Sequence, residues 1–145
     1  MSEWKVTYRG VVYPWQCDHM GHMNVMWYTG KFDEACWQLL AMLGLRFAQD
    51  GAGMAAVEQH IQYTRELYAG DAVTIHSTLL EVKEKSIRML HKMVDATGKV
   101  AATTELVAVH IDARIRKAIR LPEDVRRKAI EMQEQEMAAF EEICR

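Results

Sequence analysis

The run Asp18-His19-Met20-Gly21-His22-Met23-Asn24 holds a carboxylate, a glycine turn, an imidazole and an amide, and Val25-Met26-Trp27-Tyr28 follows directly. A carboxylate in a loop between a strand and a helix can face the amide-rich start of that helix. This pairs a base or nucleophile with a dipole that polarises an electrophile, which is what acyl transfer needs. Asp18 is the expected catalytic group, because an aspartate with an ordinary pKa of about 3.9 is ionised at neutral pH. The backbone N–H groups of Val25 and Met26, at the helix start, are expected to stabilise an oxyanion. His22 is expected to orient Asp18, hold a water or protonate a leaving group; a histidine satisfied by a loop carbonyl is the equal alternative. Asn24 is expected to bond Asp18 or the loop backbone. The plainer reading is that Asp18 and Asn24 only close a turn and cap the helix, although capping requires neither Gly21, His22 nor Tyr28.

These residues need a strand before them and a helix after them. Trp4, Val6, Tyr8 and Val12 alternate with Lys5, Thr7 and Arg9, so residues 4–13 read as a strand that Pro14 ends. Phe32, Ala35, Cys36, Leu39, Leu40, Leu43 and Phe47 then recur at helical spacing. They predict one apolar stripe on a helix over 28–43, with Gly44 to end it and Lys31, Asp33 and Gln38 off the stripe. Strand signals resume after Gly53: Val57, Ile61 and Tyr63 share one parity, and 73–79 follows the Gly70-Asp71 turn. Ile87, Met89 and Met93 alternate with Arg88 and Lys92, and Thr97-Gly98-Lys99 turns the chain into 100–111. The order β-α-β-β-β-β with short turns implies an α+β fold, an antiparallel sheet carrying one helix on one face. Pro122-Glu123-Asp124 opens a C-terminal helix, with proline suited to its first position, expected to be solvated or to bridge subunits.

At 145 residues the chain reads as a single domain, 1–145, large enough for a core of its own. A net charge of −2 gives no reason to expect a nucleic-acid or anionic-membrane partner, and no apolar run is long enough to span a bilayer. Cys17, Cys36 and Cys144 are odd in number and lack metal-type spacing, which suits reduced thiols in a cytoplasmic protein. His60, His76, His91 and His110 are scattered on the strands without a metal-binding pattern, so no metal is expected. The absence of a Gly-x-Gly-x-x-Gly, Walker or Gly-x-Ser-x-Gly motif argues against a nucleotide cofactor and an α/β-hydrolase site.

The pattern Asp18-x-x-Gly21-His22-x-Asn24-x-x-x-Tyr28, with Phe32-Asp33-Glu34-Ala35 on the following helix, resembles the hotdog-fold acyl-CoA thioesterases, closest to their 4-hydroxybenzoyl-CoA thioesterase-like branch. The likeness continues through Tyr63-Thr64-Arg65-Glu66-Leu67-Tyr68-Ala69-Gly70-Asp71 and Ile111-Asp112 to Pro122. The resemblance implies a sheet wrapped around a central helix and hydrolysis of an acyl-CoA to a carboxylate and free CoA. It implies no cofactor beyond the coenzyme A of the substrate. It also implies a homodimer or homotetramer with the site between subunits. The aspartate matching Asp18 attacks the thioester or activates water in such enzymes. Another branch uses a helix glutamate, which makes Glu34 the runner-up base. Some members of the 4-hydroxybenzoyl branch have no histidine at the position of His22.

Trp15, Trp27 and Tyr28 surround Asp18 in sequence and, with Tyr63 and Arg65, form the expected substrate-binding set. Arg65, Arg88, Arg114, Arg116 and Lys117 are the cations available to CoA phosphates. The run 11–18 is also similar to thioesterases of carnitine and betaine breakdown, which act on betainyl-CoA. Aromatic faces would hold its trimethylammonium group, but would equally suit an aryl or medium-chain acyl group. Two readings from other classes stand beside hydrolysis: a hotdog hydratase or dehydratase, and a non-catalytic acyl-CoA-binding module.

Overall fold

The computed structural model describes residues 4–46 and 51–143. The expected alternation of the first segment forms β1 (Lys5–Val11), after which Pro14–Gln16 make one short 3-10 turn. The central helix α1 runs from Val25 to Met42, starting three residues earlier than the apolar stripe predicts because Asn24 caps it. Strands β2 (Ala52–Tyr63), β3 (Ala72–Val82), β4 (Ser86–Asp95) and β5 (Val100–Asp112) follow. A two-residue β6 (Lys117–Ala118) then leads to the C-terminal helix α2 (Glu123–Ile143). Pro122 directly precedes α2 and lends its carbonyl to the Arg126 N–H at 3.0 Å, one position outside the expected place. The stripe residue Phe47 and the thiol of Cys144 lie outside the described residues.

The sheet is antiparallel, in the order β1-β3-β4-β5-β2, with β6 paired to β5. Val73, Ile75, Ser77 and Leu79 on β3, and Ile87, Met89, His91 and Met93 on β4, are buried while their neighbours are mostly not. That period of two is a sheet with one covered face. The helix covers it in two apolar clusters. Tyr28, Phe32 and Ala35 meet Val73, Ile75 and Met93; further along, Leu39, Leu40 and Leu43 meet Leu79, Ile87, Met89 and Leu106. Between the clusters a polar row crosses the sheet: Thr7, Ser77, His91 and Thr104, all buried. Ser77 Oγ lies 2.7 Å from Thr7 Oγ1 and 2.5 Å from His91 Nδ1.

Three expectations are corrected. Lys31 is buried beside the stripe, where its Nζ donates to Tyr8 Oη at 2.9 Å while its stem packs like an apolar side chain. Val57 does not share the parity of Ile61 and Tyr63: a bulge falls between Ala56 and Glu58 and leaves Val57 62% exposed. The C-terminal helix is not solvated all round, since Val125 and Ala129 join the second cluster and Glu136 accepts the Leu79 N–H at 3.3 Å.

Candidate active site

Two loops meet at the start of α1. In the first, the Asp18 N–H donates to the His22 carbonyl at 3.0 Å, and Gly21, at φ 85°, supplies the left-handed residue that turns the chain between them. In the second, after β2, the Thr64 and Arg65 N–H groups both reach the Ala101 carbonyl. The loops are joined where the Met23 N–H donates to the Leu67 carbonyl at 2.7 Å.

Asn24 holds the centre of this junction. Its Oδ1 accepts the Met26 N–H at 3.0 Å, capping the helix, and its Nδ2 donates to Asp18 Oδ2 at 3.0 Å. The Met20 N–H donates to the other carboxylate oxygen at 2.9 Å. The Asn24 bond, then the Met20 bond, hold the Asp18 carboxyl below its ordinary range, and the nearby charges of His22 and His19 add to this. A half-buried, ionised carboxylate thus stands at the helix start with two hydrogen bonds fixing its direction.

The two expected oxyanion donors differ. The Met26 amide is occupied by Asn24, whereas the Val25 amide has no hydrogen-bond partner among the described residues. His22 does not hydrogen-bond the Asp18 carboxylate. Its Nδ1 lies 3.5 Å from the Met23 carbonyl and its Nε2 3.6 Å from Glu66 Oε1. Tyr28 is buried, its ring edge-to-face with Tyr63 at 5.2 Å and its Oη donating to the Arg65 carbonyl at 3.3 Å. Burial pushes its phenol up to about 12, so it serves as a donor and not as a base. Trp15 is 64% exposed, stacked on Tyr13 at 5.6 Å and edge-on to the half-buried Trp27 at 4.9 Å. These three rings make one aromatic platform beside the loop that carries Asp18.

Other candidates lie apart. Glu34 lines a groove between β1 and α1 with Tyr8, Arg9, Trp37 and Gln38. Ten residues of helix separate it from Asn24, about 15 Å along the axis. Arg65 pairs with Asp95 at 3.9 Å, Arg88 with Glu81 and Glu105, and Arg114 with Asp112. Among the described residues Arg116 and Lys117 make no ion pair, and no cluster of three or more His, Cys, Asp or Glu side chains could hold a metal. No helix among the described residues is long and apolar enough to cross a membrane. Sequence reasoning missed Glu66 and Tyr13. Glu66 stood within the second matching stretch, but nothing in its spacing tied it to His22.

Residues 12–129 match the Thioesterase-like superfamily. The chain is 34% identical over 114 residues to an L-carnitine dehydrogenase/betainyl-CoA thioesterase of Rhizobium meliloti, covering 77% of this chain and 23% of that protein. It therefore spans less than a quarter of the length of the curated relatives it matches. Among solved structures, a hypothetical protein of Staphylococcus aureus in complex with CoA superposes with a TM-score of 0.84 at 19% identity, over 90% of this chain and 85% of that one. A gentisyl-coenzyme A thioesterase superposes with a TM-score of 0.75 at 27% identity, over 84% of this chain and 99% of that one. The chain belongs to the thioesterase-like superfamily, with the hotdog fold.

Proposed function

We propose that this protein hydrolyses acyl-CoA thioesters at Asp18. The observation that carries the reading is the Asp18 carboxylate held by Asn24 and Met20 beside the unpaired Val25 amide at the start of α1. The thioester carbonyl sits between them, its oxygen toward Val25 N–H and its carbon toward the carboxylate. Asp18 either attacks that carbon, forming an anhydride and releasing the CoA thiolate, or takes a proton from the water that attacks. The amide and the positive end of the helix stabilise the charge that develops on oxygen. Hydrolysis is favoured over a hydratase because the ionised group is held by Asn24 and the Met20 amide and not by a histidine partner.

For the acyl group we favour betainyl. The exposed Tyr13–Trp15–Trp27 platform offers aromatic faces to a trimethylammonium cation, and the relatives named for betainyl-CoA support the choice. The active assembly is a homodimer formed across β2, whose outer edge is unpaired among the described residues. Free thiol released from acetyl-, phenylacetyl-, long-chain and betainyl-CoA tests the activity and the substrate together. The expected result is the highest kcat/KM on betainyl-CoA, with Trp15→Leu selectively raising its KM. Equal rates on betainyl-CoA and the neutral tert-butylacetyl thioester would remove the charge reading. No release from any of them would leave a binding module.

A further inference from the structure

Glu66 is a second carboxylate at the site junction, and both of its oxygens are engaged. Oε1 lies 3.6 Å from His22 Nε2, and Oε2 accepts the Tyr68 Oη–H at 2.5 Å. Tyr68 is itself fixed, because its N–H donates to Asp71 Oδ2 at 2.8 Å. With its proton shared with the Glu66 carboxylate, the Tyr68 phenol is held above its ordinary pKa and stays a donor. The neighbour of Glu66, Leu67, accepts the N–H of Met23, the neighbour of His22. Two adjacent residues of one loop therefore grip two adjacent residues of the other, one by side chain and one by backbone.

That grip reaches the reacting carboxylate by one step. The His22 carbonyl accepts the Asp18 N–H at 3.0 Å, so a displacement of His22 displaces the Asp18 backbone. With its ring nitrogens directed at the Met23 carbonyl and at Glu66, His22 has no nitrogen left for Asp18. We propose that Glu66 is a positioning residue for the reaction at Asp18, acting through His22 as a clasp between the two loops, with Tyr68 holding the Glu66 carboxylate in place. The proposal rests on the thioesterase reading above. Since the Glu66 side chain is 58% exposed, its contact with His22 contributes little to folding, so its removal leaves a folded protein in which the effect on turnover can be read.

The test compares Glu66→Ala, Glu66→Gln, His22→Ala and the double variant Glu66→Ala/His22→Ala on betainyl-CoA and phenylacetyl-CoA. Misplacing a reacting group by a fraction of an ångström lowers kcat more than it changes KM, so Glu66→Ala is expected to lose about tenfold in kcat with KM within about twofold. Glu66→Gln, which can still accept from Nε2, recovers part of the loss. In the His22→Ala background Glu66→Ala has no further effect. Additive losses in the double variant, or unchanged kcat in Glu66→Ala, would overturn the proposal. A second readout needs no turnover: the Nε2 chemical shift of the His22 imidazole at one fixed pH, compared between wild type and Glu66→Gln. The shift is expected to change, because Nε2 faces Glu66 Oε1 at 3.6 Å, and an unchanged shift also overturns the clasp. A wild-type protein inactive on every thioester would remove the proposed function instead, and the chemical shift would still decide whether Glu66 and His22 pair.

Discussion

One amide side chain sets the state of Asp18. Asn24 both caps α1 through Oδ1 and holds the carboxylate through Nδ2, so helix start and reactive group are positioned together. Asn24→Ala removes the largest influence holding the Asp18 pKa down. The carboxylate then protonates at higher pH, so the acid limb of the kcat/KM profile moves up toward the ordinary aspartate range. The lost cap costs about 1 kcal/mol of stability, which a thermal melt reads separately. Asn24→Asp keeps the cap but places a like charge beside Asp18, and the acid limb moves up further. Asp18→Asn is expected to lose about 10² or more in kcat while remaining folded, with Glu34→Gln close to wild type. Normal turnover in Asp18→Asn, with Glu34→Gln inactive, would move the chemistry to the β1 groove. The Asp18–Asn24 pairing was legible in the sequence because a local turn makes it. The Glu66–His22 pairing was not, because it needs two distant loops brought together by the sheet.

Elements were legible wherever their period was regular. The helix stripe and the alternation of Ile87, Met89 and Met93 on β4 were plain, and the structure adds His91, read in the sequence only as one of four scattered histidines, to their covered face. What the period could not supply was its own interruption. The bulge at Val57 shifts β2 by one residue, and a continuous parity through Ile61 and Tyr63 conceals it. Lys31 looked like a surface residue because a lysine stem can bury while its ammonium reaches a distant acceptor, here Tyr8. The strand β2 carries the assembly prediction. It is 12 residues long, pairs with β5 alone among the described residues and is largely exposed. Such an edge is a template for a second copy. A dimer or tetramer is expected by sedimentation at micromolar concentration. Val57→Asp, which puts a charge at the exposed bulge, is expected to shift it toward monomer with loss of activity. A fully active wild-type monomer would refute the arrangement.

At the scale of the whole molecule, the core is two apolar clusters with a polar row between them, and His91 is the group in that row that can take a charge. Burial pulls its pKa down to about 4. In the unfolded chain it titrates near 6.5, so below that pH the unfolded state binds a proton that the folded state refuses until about 4. Its contribution is therefore fully present above about pH 6.5 and is lost as pH falls through that window, by about 3 kcal/mol in all. Urea unfolding at several pH values measures the slope. His91→Gln, which does not titrate, should flatten it, and an unchanged slope would show that His91 charges freely in the fold.

The bulge in β1 has a consequence for solutions of the protein at high concentration. Once two β2 edges pair about a two-fold axis, that interface is self-complementary and closes, and the outer margins of the joined sheet are two copies of β1. That strand has only 7 residues, its register is broken between Val6 and Tyr8, and it carries Lys5 and Arg9. Each of these hinders the docking of a further strand. Sheet extension therefore stops at the pair, and the same fold that invites one partner is guarded against end-to-end polymerisation into fibrils.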